Sequence, residues 1–127
     1  MEYPKELKYA ETDEWALIEG ETATIGLTDF AQDQLSDLVY FEALVDVGDS
    51  VDTETILATV ESVKSAGDVI SPVAGEVIEI NTELEDEPEI VNNDPYDTGW
   101  MFKIKLSEPV DEDKLMNAEE YQEQCEE

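Results

Sequence analysis

The six residues Val60-Glu61-Ser62-Val63-Lys64-Ser65 constrain this chain most, with the run Thr55-Ile56-Leu57-Ala58-Thr59-Val60 before them and Ala66-Gly67-Asp68, then the run from Val69 to Ile78, after. Two β-prone stretches separated by a short polar break read as strand, turn, strand, with Lys64 near the tip of the hairpin. A lysine held on a stiff bend keeps its amine in water. It is well placed for another enzyme to modify and badly placed to be a buried catalyst.

The flanking sequence supplies more strands of the same kind. Trp15-Ala16-Leu17-Ile18 and Ala23-Thr24-Ile25-Gly26-Leu27 read as a pair joined by Glu19-Gly20-Glu21-Thr22. Asp29 is placed to cap a short helix, with Gln32 three residues on, and Ala31, Leu35 and Leu38 recur at helical spacing. Val39–Leu44 is another strand, and Val47–Val51 a turn between apolar anchors. Glu76–Ile80 alternates as a half-exposed strand. Residues 81–98, with Pro88, Asn92, Asn93 and Pro95, read as mostly loop with one helical turn. Gly99–Leu106 is a final strand with Trp100, Phe102, Ile104 and Leu106 on one face. Beyond Pro109, Asp111 can cap a helix with Leu115, Ala118 and Cys125 as its apolar stripe, restarted by an Asn117/Glu120 capping box. The expectation is one mainly β domain, 1–127: a small barrel or sandwich with a short internal helix and C-terminal helices.

Several chemistries lack their residues. There is no histidine, so the usual near-neutral proton shuttle and the commonest metal ligand are missing. Cys125 is the single cysteine, which excludes an internal disulfide or a Cys-x-x-Cys redox pair. All six positive charges are lysines, leaving no arginine for bidentate phosphate binding. Redox or group-transfer chemistry would need a borrowed cofactor. A net charge of −29 argues against nucleic acid or an anionic membrane as partner. The acids are spread along the chain, which favours hydration in a salt-adapted cytoplasm over steering by one charged tail. No signal peptide or apolar span is visible, so the cytoplasm is the expected location.

Three readings of Lys64 then compete. It is a solvated turn lysine without a role, a Schiff-base or nucleophilic lysine, or the anchor of a covalently loaded arm. The second needs burial or a neighbouring cation to activate the amine, whereas Glu61 and Asp68 are the charged neighbours here. The third suits a hairpin tip, where exposure admits the modifying enzyme and paired strands supply a rigid shape.

Glu61-Ser62-Val63-Lys64-Ser65-Ala66-Gly67-Asp68-Val69 resembles the lipoyl-attachment hairpin of the glycine cleavage system H proteins, and the likeness extends over nearly the whole chain. It includes Asp13-Glu14-Trp15, the segment from Ala23 to Gln32, the segment from Ser71 to Val77, Glu89-Ile90-Val91-Asn92, Asn93-Asp94-Pro95-Tyr96 and Gly99-Trp100-Met101. Biotinyl carriers usually flank the lysine with methionine, unlike Val63 and Ser65. Dehydrogenase lipoyl domains lack the Asn-Asp-Pro-Tyr to Gly-Trp segment and the C-terminal helices.

The resemblance implies a lipoyl-domain-like barrel-sandwich hybrid that acts as a carrier and not as an enzyme. Lipoic acid would be joined by an amide to Lys64 by a lipoate-attaching enzyme. The arm would take the aminomethyl group of glycine from a pyridoxal-phosphate-dependent glycine decarboxylase (P protein) to an aminomethyltransferase (T protein). Dihydrolipoamide dehydrogenase (L protein) would reoxidise the dithiol. The resemblance also implies that the loaded arm folds back into an acid-lined cleft, with Glu14 and Asp68 as its contacts and Thr12 as a hydroxyl partner. The family commonly has histidine where this chain has Asp13. Trp15, Trp100 and Phe102 read as core. An H-like protein relaying lipoyl groups to other complexes, or an enzyme using Lys64 as nucleophile, remain the alternatives.

Overall fold

The alternating patterns form two antiparallel sheets in the computed structural model, which describes residues 2–110 and 115–126. The larger sheet runs in the order β1 (Lys8–Tyr9), β2 (Glu14–Glu19), β3 (Thr22–Leu27), β9 (Phe102–Leu106), β8 (Gly75–Ile80), β5 (Ser50–Val51). The smaller sheet holds β4 (Leu38–Ala43), β6 (Ile56–Ser62) and β7 (Ala66–Ile70), with β6 in the middle. Both orders are open at their ends, so the architecture is a sandwich of two sheets and not a closed barrel.

The core lies where the inward faces meet. Val60 and Val69 from the small sheet and Ile25, Val77 and Ile104 from the large one are fully buried in one cluster. Phe41 and Phe102 bring the sheets together with ring centroids 6.2 Å apart. Strand alternation decides which residues face in. On β8, Val77 is buried while its neighbours Glu76 and Ile78 are exposed. Gly26 lies opposite Trp15 in the β2–β3 ladder, and a Cβ there would sit 2.8 Å from the indole. Only glycine lets that ring lie flat on the sheet.

Helix α1 (Asp29–Leu35) follows β3, but its cap is Thr28 and not the expected Asp29. Thr28 still has extended backbone as the chain leaves β3, so its hydroxyl accepts from Ala31 N at 3.1 Å. Asp29 is the first helical residue and accepts instead from the Gln32 side-chain amide, at 2.6 Å. The segment expected to be mostly loop contains two helical turns, α2 (Glu83–Asp86) and α3 (Ile90–Asn93). They seat Leu84 and Val91 in the core. Val47 proves 61% exposed, so the turn it opens has one apolar anchor, Val51.

A second cluster, Leu7, Tyr9, Trp15, Ala118 and Tyr121, lies against the larger sheet. It docks α4 (Ala118–Glu126). The Asn117/Glu120 capping box is present: Glu120 N donates to Asn117 Oδ1 at 2.9 Å and Asn117 N to Glu120 Oε1 at 3.1 Å. A helix of nine residues is too short to persist alone. Burial of the Tyr121 ring, about 150–250 Å² at about 25 cal/mol per Å², contributes roughly 4–6 kcal/mol gross and holds it down. Tyr121 therefore replaces Cys125 as the centre of the apolar stripe, because Cys125 is only half-buried. The expected cap at Asp111 lies outside the described residues. Trp15 and Phe102 are core as expected. Trp100 is half-buried, with the Lys103 ammonium 5.0 Å above its ring.

Candidate functional site

Lys64 stands at the bend between β6 and β7, exposed to solvent. Val63 beside it is 70% exposed. Among the described residues the Lys64 ammonium makes no ion pair; the single pair is Lys103 with Glu79 at 3.7 Å.

The bend is built by serine. Neither Val63 nor Lys64 has positive φ, so this is not one of the primed turns that match hairpin twist. The Ser62 hydroxyl instead accepts from the backbone amides of Ser65, at 2.9 Å, and Lys64, at 3.2 Å. Ser62 N donates to Ser65 O at 2.7 Å to close the loop. A hydroxyl that gathers two turn amides replaces the missing backbone bond. Val63 N also donates to the Asp37 carbonyl at 3.1 Å, tying the tip to the start of β4. The result is an amine displayed on a braced, two-residue tip.

At the other end of β7 lies an open cleft of about 630 Å³, lined by Ala10, Thr12, Glu54, Ile70, Pro72 and Met116 among others. Glu14 does not line the cleft but lies behind two residues that do, Thr12 and Ile70, and is 1% exposed. Its carboxyl accepts from the Thr12 hydroxyl and, at 3.3 Å, from Ile70 N on the free edge of β7. Glu14 thereby stitches the larger sheet to the smaller. Burial pushes its carboxyl up to about 7, and the Thr12 and Ile70 hydrogen bonds offset only part of that. A carboxyl poised near neutrality beside a cleft can receive a cation and re-ionise as it does so.

The four residues singled out from sequence are thus distributed unevenly. Thr12 and Glu14 are brought together, and Lys64 stands alone at the tip. Asp68 is exposed on β7 and makes no hydrogen bond to either Thr12 or Glu14. It does lie between the tip and Ile70. Five residues at about 3.3 Å each cover that stretch, so an arm from Lys64 that reached the cleft would lie back along β7, past Asp68.

Sequence reasoning missed Ser62, the Ile70 amide and Tyr121. Ser62 had a local signal, a serine just before the bend. The Ile70 amide had none, because its partner is 56 residues away.

Comparison with known proteins adds the following. Residues 7–127 match the family model described as glycine cleavage H-protein. A glycine cleavage system H protein of Marinobacter nauticus is 54% identical over 123 residues, covering 96% of this chain and 94% of that protein. One from Thermus thermophilus is 51% identical over 123 residues, covering 97% and 95%. The crystal structure of a glycine cleavage system H protein from Mycobacterium marinum superposes with a TM-score of 0.88 at 31% identity, covering 98% of this chain and 99% of that one.

Proposed function

The chain belongs to the glycine cleavage H-protein family, and from that premise we propose that Lys64 is the residue to which its lipoyl group is attached. Its role is that of a lipoyl carrier in glycine cleavage, a component without catalysis of its own. The observation that carries the assignment is the solvent-exposed amine on a serine-braced bend. Amide formation requires an accessible lysine that a ligase can grip, and Lys64 has that setting. When bound, lipoic acid supplies a disulfide that accepts a one-carbon amine at a carbon–sulfur bond, and a dithiol that is later reoxidised.

Glu14 offers a sheltered carboxylate to the ammonium of the cargo, Thr12 orients that carboxylate, and Asp68 attracts the cation along β7. The cargo arrives from a pyridoxal-phosphate-dependent glycine decarboxylase and leaves at an aminomethyltransferase, with dihydrolipoamide dehydrogenase resetting the sulfurs. Residues 1–127 act as one carrier domain in a salt-adapted cytoplasm. No described helix is long and apolar enough to cross a membrane.

Tryptic mapping tests the attachment. The chain has six lysines and no arginine, so acylation of Lys64 leaves one long peptide from Tyr9 to Lys103, heavier by one lipoyl group. Cleavage after Lys64 in protein from the native host grown on glycine would oppose the assignment.

A further inference from the structure

Between Thr12 and Glu14 the backbone takes an unusual turn. Asp13 has φ of +77°, in the left-handed region that a non-glycine residue occupies only when its surroundings hold it there. Three contacts do so. Asp13 N donates to Ala10 O at 3.0 Å, and Asp13 O accepts from Thr28 N at 3.1 Å. The third comes from the far end of the chain, where the Tyr121 hydroxyl donates to Asp13 Oδ1 at 2.8 Å.

That hydroxyl is itself held in place. Tyr121 is fully buried and stacks on Tyr9 with centroids 4.7 Å apart and planes 5° from parallel. Its oxygen lies 2.7 Å from Thr28 Oγ1. The single phenolic proton goes to the carboxylate, so Thr28 must donate to Tyr121. Thr28 Oγ1 in turn accepts from Ala31 N. The donors form one directed chain, Ala31 N–H to Thr28 to Tyr121 to Asp13, and each bond polarises the next.

We propose that Tyr121 is a positioning residue for the Glu14 cleft: its hydroxyl clamps Asp13 in the left-handed turn, and that turn aims the Thr12 hydroxyl and the Glu14 carboxyl at each other and at the Ile70 amide. Helix α4, remote in sequence, thereby sets the geometry of the site. The value of this clamp to the carrier rests on the reading that the cleft receives the loaded arm. The clamp itself is read without the arm.

The test uses unlipoylated full-length protein and the hydrogen exchange of the Ile70 amide, followed by NMR. Tyr121→Phe keeps the ring and removes the hydroxyl, and should speed Ile70 exchange by about tenfold, the worth of one charge-assisted hydrogen bond. Glycine adopts positive φ freely, so adding Asp13→Gly to Tyr121→Phe should restore slow exchange. A merely structural role for Tyr121 would not be rescued in this way. If Tyr121→Phe folds poorly, Asp13→Ala with Tyr121 intact tests the clamp from its other end and should speed Ile70 exchange while Asp13→Gly does not. Unchanged Ile70 exchange in Tyr121→Phe (or in Asp13→Ala, where that variant stands in), or failure of Asp13→Gly to restore it, overturns the proposal. Shifts of the Thr12 and Ile70 amides on loading the lipoylated protein with glycine and the pyridoxal-phosphate-dependent decarboxylase report the docking separately, so either reading can fail alone.

Discussion

Lys64 and Glu14 sit near opposite ends of β7 and obey opposite physics. The lysine is exposed, on a tip braced by serine, with no ion-pair partner among the described residues. The glutamate is 1% exposed, bonded to Thr12 and Ile70, and pushed up to about 7 by burial. A carrier needs both conditions. Attachment and delivery demand exposure, whereas a reactive amine at rest demands shelter and a counter-charge. On the function proposed above, the fold separates the two demands along one strand, so neither compromises the other.

The largest effect should come from breaking the exposed end. Lys64→Arg keeps the charge and the length but offers no amine for an amide, so carriage should be lost completely. Stability should change by less than about 0.5 kcal/mol, as for surface positions without buried contacts. Aminomethyl transfer and thermal melting measured on one preparation check this. A large fall in melting temperature would mean the tip depends on Lys64 and would blur the division between the two ends.

Glu14→Gln attacks the sheltered end. Glu14 holds its proton more tightly folded than unfolded, since burial moves it from 4.5 to about 7. Its contribution to stability is therefore complete below about pH 4.5, shrinks as pH rises, and is lost above about 7, a change on the order of 3 kcal/mol. Glutamine can still accept from Ile70 N, and its amide can donate to the Thr12 hydroxyl, without this titration. Denaturant melts from pH 4.5 to 8 should show the stability of wild type falling relative to Glu14→Gln across that window. Parallel curves would mean that the carboxyl is solvated and the cleft offers no shelter.

The exposed end was legible in the sequence and the sheltered end largely was not, for a physical reason. A hairpin is a local object: β-branched runs, a short break and one lysine lie within a couple of dozen residues, and nothing distant can undo that pattern. Thr28 rather than Asp29 as cap turned on a single residue's backbone angles, set by where β3 ends. The burial of Glu14 depends on β7 arriving from 56 residues away. The turn at Asp13 depends on Tyr121, 108 residues on. Family resemblance picked out Glu14 and Thr12 without explaining them. It picked out Asp68 as well, which the fold leaves in water. One helical turn was expected in 81–98 where there are two, and what anchors α3 was hidden because Asn92 acts at a distance, its side chain bonding Leu38 N, Gln32 and the Ser36 carbonyl.

Salt should separate the two kinds of acid. With a net charge of −29 and one described ion pair, surface carboxylates repel one another. Raising ionic strength from about 0.1 M to about 1 M shortens the screening length from roughly 10 Å to roughly 3 Å. The melting temperature should rise by several degrees, equivalent to about 1–2 kcal/mol. The Glu14 titration, followed by carboxyl NMR, should hardly move, because its largest cause is burial and not neighbouring charge. A melting temperature indifferent to salt would remove the argument for a salt-adapted host.

The smallest effect, and the one that reaches furthest into how the tip works, belongs to Ser62. Its hydroxyl satisfies two turn amides that the backbone leaves open. Ser62→Ala should cost about 1 kcal/mol, the net worth of a hydrogen bond in water-exposed surroundings. Its effect on lipoylation should be larger than its effect on stability. A ligase that recognises the shape of the bend must first order a tip that Ser62 no longer holds, and each 1.4 kcal/mol of that ordering slows modification about tenfold. Initial rates of lipoate transfer to Ser62→Ala and wild-type apoprotein, with melts alongside, separate recognition from stability. Equal rates would mean that the ligase reads residues and not geometry, and that exposure alone, without rigidity, is what the tip supplies.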